Sequence, residues 1–198
     1  MLVQDFPTTG KKYTAMSFAL RSHRQFLARS LVLVLAPLAL GACDNYRQEP
    51  NCSTFFSKDN LGSFTLQKDG TALDPDTGLL WYRCAAGMRY SNDQCLGEPV
   101  LLPWDQANRF AADFGQNSSR RWRLPSNEDV RSITETECRN PAVNTMIFPQ
   151  LPVENFWTND NAFLGNDRKC MVYSYRGQIV CREPREALHA FMLVSGPE

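Results

Sequence analysis

Apolar residues follow three rhythms along this chain, and each rhythm predicts a different element. The first is an unbroken run. Leu31 to Leu40 is apolar throughout, contains Pro37, and follows the cationic Arg21, Arg24 and Arg29. A helix that crosses a bilayer needs roughly 20 such residues, so this run is too short to span one. The second rhythm is a series of short apolar patches separated by turn residues. Phe64-Thr-Leu66 and Thr71-Ala-Leu73 flank Lys68-Asp69-Gly70 and predict two strands around a turn. Asp74-Pro-Asp-Thr-Gly78 predicts a second turn, with Pro75 fixing φ and Gly78 free to take a positive one, and Leu79 to Tyr82 a further strand. The third rhythm is helical. Trp104, Ala107, Ala111 and Phe114 recur at helical spacing, behind Pro103, whose missing N–H costs nothing in a first turn. Gly115 is the expected stop.

A shorter helix is expected from Ser126, whose hydroxyl can cap it. Glu128 and Asp129 then face the positive end of the helix dipole, and Val130 and Ile133 form the buried stripe. Strands return in the last third. Phe156-Trp-Thr158 is one, Met171 to Tyr175 and Ile179-Val180 form a hairpin about Arg176-Gly177, and Ala190 to Val194 closes the sheet. Few helices, many short strands and long connections define an α+β domain.

A cationic stretch followed by a short apolar run has the layout of an export signal. The run ends in Leu40-Gly41-Ala42-Cys43, which resembles the lipobox of bacterial lipoproteins: an aliphatic residue, two small ones that admit a peptidase, and the cysteine that accepts lipid. On this reading residues 1–42 are a signal peptide, and Met16 gives a better proportioned start than Met1. Cys43 is lipidated, and residues 43–61, polar and rich in Asn, Ser and charge, form a tether to a domain spanning 62–198. The protein is then held to a membrane of the bacterial envelope by its lipid and faces the periplasm. Asp44-Asn45 resembles the retention signal of enterobacterial lipoproteins, which tilts the expectation toward the inner rather than the outer membrane.

Cysteine arithmetic fits that compartment. With Cys43 committed to lipid, Cys52, Cys84, Cys95, Cys138, Cys170 and Cys181 remain, an even number suited to three disulfides. The count alone does not choose their connectivity. Local pattern favours Cys84–Cys95 across a loop that Gly87, Ser91 and Asn92 can bend, and Cys170–Cys181 across the predicted hairpin. Elimination leaves Cys52–Cys138. None of the six lies in a Cys-x-x-Cys motif or beside a histidine cluster, so no metal and no cofactor is expected.

Charge narrows the partners. The chain carries 21 basic and 21 acidic residues; five of the basic (Lys11, Lys12, Arg21, Arg24, Arg29) and one of the acidic (Asp5) precede residue 44, leaving 16 against 20, a formal charge of −4. A mildly acidic domain is poorly suited to nucleic acid, whose binding rests on stacked positive charge.

A series of motifs then falls into order: Asp74-Pro-Asp-Thr-Gly-Leu-Leu-Trp81, Cys84, Cys95-Leu-Gly97, Trp104-Asp-Gln-Ala107, Trp122-Arg-Leu-Pro-Ser126 with Glu128, Asn140-Pro-Ala-Val-Asn144, Phe148-Pro149 and Phe156-Trp-Thr158. The series resembles the Lcl C-terminal domain family, a bacterial domain named for the end of a collagen-like adhesin, over about residues 62–195. The resemblance implies a C-type-lectin-like fold: two helices, short twisted antiparallel sheets and a long loop region, here stapled by disulfides. Two features depart from the family's adhesin: the apolar ending Phe191-Met-Leu-Val194 and the acidic charge, and both argue against a polyanionic ligand.

Candidate chemistry is sparse. Trp81, Trp104 and Trp122 are expected in the core, and Arg120, Arg121 and Arg123 on a solvated or salt-bridged face. Trp157, Asn159 and Asp160 are the candidate ligand-binding residues, because Trp157-Thr-Asn-Asp160 resembles the Trp-Asn-Asp of calcium-dependent lectins. Calcium needs 6–8 oxygens, and no Glu-Pro-Asn or Gln-Pro-Asp accompanies the motif, so a calcium–sugar site is not expected. His189 is the one histidine after Cys43, too little for an HExxH site and a weak basis for a Ser-His-Asp relay. The expected function is noncatalytic binding of a protein or glycan of the envelope. The alternatives are an inhibitor or immunity-like partner of another periplasmic protein, and a cell-wall glycan hydrolase.

The export reading has a direct test. Cells fed a fatty-acid analogue should label the wild-type chain and not Cys43→Ala, which should accumulate as an unlipidated precursor. Label that survives the substitution would overturn it.

Overall fold

The computed structural model describes residues 48–116, 120–163, 165 and 167–196. The expected signal peptide, its Met16 start, Cys43 with its expected lipid, and Asp44 lie outside the described residues. In chain order the elements are α1 (Cys52–Phe55), β1 (Thr65–Leu66), β2 (Thr71–Leu73), β3 (Leu80–Tyr82), β4 (Arg89–Ser91), β5 (Gln94–Leu96), α2 (Trp104–Gln116), α3 (Asn127–Ile133), β6 (Asn155–Asn161), β7 (Arg168–Tyr173), β8 (Gln178–Pro184), β9 (Ala190–Phe191) and β10 (Val194–Ser195). They form two four-stranded sheets, ordered β1-β2-β3-β10 and β8-β7-β6-β9, and a small β4–β5 hairpin. The class is α+β, with three disulfides.

Strand alternation divides the interior into two cores. Trp81, Phe156 and Val172 enter one, together with Val130 and Ile133 of α3. Their chain neighbours Leu80, Trp157 and Met171 enter the other, together with Ala107 and Ala111 of α2. Successive side chains of a strand point to opposite faces, so the strands form a layer buried on both sides, with one helix against each.

The final strand differs from expectation. Ala190 to Val194 does not lie in one sheet. Ala190 and Phe191 pair with β6, whereas Val194 and Ser195 pair with β3. The β6–β9 pairing is also parallel, with Phe156 opposite Ala190 and Trp157 opposite Phe191, which corrects the expectation of wholly antiparallel sheets.

Local signals account for the helix ends. At α3, Ser126 Oγ accepts from Asp129 N at 3.1 Å and Asp129 Oδ2 accepts from Ser126 N at 2.7 Å, a reciprocal capping box. Gly115 does not stop α2; it lies inside the last turn and is buried. A Cβ there would stand 2.6 Å from the Arg120 carbonyl oxygen, so the missing side chain admits the backbone that leads to Trp122. Phe114 meets the Trp122 ring edge-on at 5.5 Å, and Phe110 meets Phe191 at 5.3 Å. Trp81 and Trp122 are buried as expected, but Trp104 is only partly so, because it begins α2 at the domain margin.

The disulfides join Cys52 to Cys138, Cys84 to Cys95 and Cys170 to Cys181. Met171 opposes Val180 and Lys169 opposes Glu183 in the β7–β8 ladder, so the register shifts between them, where Cys170 faces Cys181 and Arg182. Cys52, near the start of the described residues, is wholly buried, and its amide donates to Arg139 O at 2.8 Å.

Gly115 supplies a prediction whose sign opposes helix propensity. Ala is normally better than Gly inside a helix by about 1 kcal/mol. Here the clash with a backbone oxygen should make Gly115→Ala destabilising by about 1–3 kcal/mol. Denaturant unfolding measures it, and a stabilised variant would refute the close approach.

Candidate functional site: the Arg83 cleft

Arg83 directly follows β3 and is only 2% exposed, in a stretch that is otherwise apolar or sulfur-bearing. Its Nε donates to Ile147 O at 2.8 Å and its Nη2 to Met146 O at 3.0 Å. Nη1 donates to the Tyr90 hydroxyl at 2.6 Å and to Asp93 Oδ1 at 3.1 Å. Burying a cation is tolerable only when it is paired and hydrogen-bonded, and these contacts meet that requirement. They account for all but one of the guanidinium N–H groups; the remaining one, on Nη2, has no partner among the described residues.

Three segments rise around this guanidinium and enclose a cleft of ≈480 Å³. The first follows α1 and brings Lys58 and Leu61. It is fixed by Cys52–Cys138, by Thr145 Oγ1 donating to Cys52 O at 3.3 Å, and by Asn144 Nδ2 donating to Asn60 O at 2.9 Å. The second is the β4–β5 hairpin, which brings Asn92, Asp93 and Gln94. Asn92 and Asp93 have φ of 52° and 58°, the paired left-handed conformation of a two-residue type I′ turn. Cys84–Cys95 ties this hairpin to the strand that carries Arg83. The third is the irregular segment bearing Thr145, Met146, Pro149 and Gln150. Gln150 Oε1 accepts from Cys95 N at 2.9 Å and so links the second wall to the third.

Gly70 helps to aim the site. The Tyr90 ring lies so close to it that a Cβ would approach to 2.6 Å, and its φ of +84° also suits glycine. Tyr90 in turn donates from its hydroxyl to Asp93 Oδ1 at 2.6 Å. The hydroxyl hydrogen bond, then the one from Arg83, hold the Asp93 carboxyl below the usual carboxylate range. Burial and the bond to Asp93 push the Tyr90 phenol up.

The residues singled out from sequence go elsewhere. Trp157 is wholly buried; its Nε1 donates to Leu102 O at 2.8 Å and its ring stacks edge-on against His189 at 4.5 Å. Asn159 is exposed, with its backbone N donating to Pro125 O. Asp160 accepts from the backbone N of Asn127 at the start of α3. Trp157 is thus closed to a ligand in this conformation, and Asp160 serves a helix end. His189 lies 3.4 Å from Glu183 Oε2. Arg123 pairs with Asp129 at 2.6 Å, while Arg120 and Arg121 are exposed. Lys169 is buried with its Nζ 3.9 Å from the centre of the Trp104 ring, a contact that sequence spacing did not suggest. Arg83 was also missed, although a charge directly after Leu79-Leu-Trp-Tyr82 and before Cys84 is a usable signal.

The chain belongs to the Lcl C-terminal domain family, whose pattern it matches over residues 70–195. No curated protein matches it. Arg83, the hairpin wall and the 145–150 wall fall inside the matched span, while Lys58, Leu61 and Leu66 precede it.

The Asp93 carboxyl has a definite pH behaviour. Its folded pKa lies below the unfolded value of about 3.9. The contribution it makes to stability is therefore present above that pH and lost as pH falls through the folded value. An NMR titration should place the Asp93 midpoint below the ordinary range, and Tyr90→Phe should raise it. An ordinary midpoint in the wild type would remove the hydrogen bonds just described.

Proposed function

We propose that this protein is a lipid-anchored component of the bacterial envelope, facing the periplasm, whose noncatalytic C-type-lectin-like domain binds an envelope protein or glycan in the Arg83 cleft. The observation that carries the reading is the cleft itself, a cavity of ≈480 Å³ floored by a buried guanidinium and walled by three braced segments. Its lining mixes amides and a hydroxyl from Asn92, Gln94, Gln150 and Thr145 with aliphatic surface from Leu61, Leu66 and Pro149. Such a lining suits recognition of a polar ligand, in which a few placed polar groups set orientation within apolar walls. The lectin-like assignment is supported by the two longer helices, α2 and α3, and by the long irregular stretch between α3 and β6, which supplies one cleft wall. Membership of a family named for an adhesin's terminus agrees with a binding role. The noncatalytic reading is supported by His189, which is occupied by Trp157 and Glu183, outside the cleft lining.

The test is position-specific. A photo-crosslinking amino acid at Gln94, on the exposed rim, should capture an envelope component in intact cells. The same residue at Arg109, on the exposed side of α2, should not. Identical products from both positions, or none from Gln94, would reject the cleft as the recognition site.

A further inference from the structure

The cleft already holds one carboxylate, and its charges leave room for another. Asp93 reaches Arg83 from the hairpin tip with its own side chain 80% exposed, so the guanidinium is met by an acid that stands at the mouth. Arg83 and Lys58 bring two positive charges to the lining, against the single negative charge of Asp93. Lys58 stands near enough to contribute to the low pKa of Asp93. Among the described residues Nη2 meets one acceptor, Met146 O, so one of its two N–H groups is open to a further acceptor.

The remaining lining narrows the kind of acid. Gln150 spends its side-chain oxygen on Cys95, which leaves its amide N–H groups for a guest. Leu61, Leu66 and Pro149 offer an aliphatic wall. Among the described residues the lining carries no aromatic ring on which the face of a sugar acid would rest. The last residue of a peptide instead carries a carboxylate, an amide and a side chain within a single residue's reach, and these match a cation, an amide and an aliphatic wall in one cleft. We infer that the Arg83 cleft takes the C-terminal carboxylate of a peptide chain, held by Arg83 and Lys58, with the terminal side chain against Leu61 and Pro149. The inference rests on the binding role proposed above and names its ligand class. Asp93 then acts as a built-in competitor, occupying the guanidinium when no peptide is bound and repelling the guest's like charge.

The full chain, titrated with N-acetyl-Ala-Leu-Ala as the free acid, as its C-terminal amide, and separately with glucuronic acid, decides the matter. The readout is the side-chain amide NMR signals of Asn92, Gln94 and Gln150. The free acid should bind about tenfold more tightly than the amide, as expected when a charge-assisted hydrogen bond is lost. Asp93→Asn should tighten the free acid severalfold without changing the amide, and Lys58→Ala should weaken the free acid. Both substitutions are at exposed positions; because Asp93→Asn removes a charge beside the buried guanidinium, an unchanged dispersion of the backbone amide NMR spectrum, and not the melting temperature, verifies the fold. Equal affinity of acid and amide, binding of neither up to millimolar concentration, or glucuronic acid binding as well as the peptide would overturn the inference. If Gln94 still captures a partner in cells under any of those results, the binding role stands and only the carboxylate ligand is lost.

Discussion

Everything in this fold hangs on a stretch of backbone that is buried on both faces, residues 190–194. Alternation sends Ala190, Met192 and Val194 into one core and Phe191 and Leu193 into the other. An ordinary surface strand would alternate apolar with polar, but here no position faces water, so every residue is apolar. The backbone is as fully engaged. Leu193 O accepts from Tyr82 N at 3.0 Å and Phe191 O from Ala86 N at 2.9 Å, while Val194 exchanges bonds with Arg123 in both directions. Two ladders of two residues each would be weak alone. Joined by one continuous segment, they tie β3, β6 and the Trp122-Arg123-Leu124 stretch into a single layer. Any polar substitution in this segment leaves a buried group without a partner on whichever face it meets.

The layer explains why Arg83 can be where it is. β3 pairs with β2 on one side and β10 on the other, so the residue that follows it emerges from the most constrained part of the sheet. The carbonyl groups of Met146 and Ile147 lie in an irregular stretch, where no ladder supplies donors. Buried carbonyls need partners and a buried guanidinium needs acceptors, so each satisfies the other. Losing one side of such an arrangement leaves an uncompensated charge, typically a loss of about 3–5 kcal/mol. The cleft floor is therefore held by the stability of the domain itself, whereas the walls are held by separate devices.

The parts legible in the sequence are those decided locally. Ser126 with Asp129 marks a helix start because capping involves only neighbouring residues, and Gly70 and Gly78 mark turns for the same reason. Cys170 and Cys181 could be paired because a hairpin brings its own two arms together. What failed was decided at a distance. Gly115 reads as a stop until the Arg120 backbone is seen against it. Ala190 to Val194 reads as one strand because pattern reveals burial but not which neighbours cause it. Trp157-Thr-Asn-Asp160 has a lectin-like look, yet the fold spends its tryptophan on Leu102 and its aspartate on α3. Sequence marks Arg83 as a charge set among apolar residues, but not its burial, because the Met146 and Ile147 carbonyls that accept from it lie more than sixty residues away along the chain, a separation no local pattern encodes.

The division between scaffold and wall bears on how the cleft would work. Two of its three walls are irregular segments and the third is a short hairpin, and ordering such pieces costs much conformational entropy per contact made. Two of the three disulfides are placed at two of those walls, and side chains bond backbone where ladders are absent. The covalent links remove freedom that a ligand would otherwise have to remove on binding, so the site is organised before anything enters it. Net charge then matters less than placement. Residues 44–198 are acidic as a whole, yet the cleft concentrates two cations around one acid in a partly desolvated setting, where Coulomb forces are screened least. An anion approaching the general surface is weakly repelled. One that reaches the Arg83 floor meets the opposite field, so a domain of negative charge can discriminate among acids by shape instead of collecting them by charge.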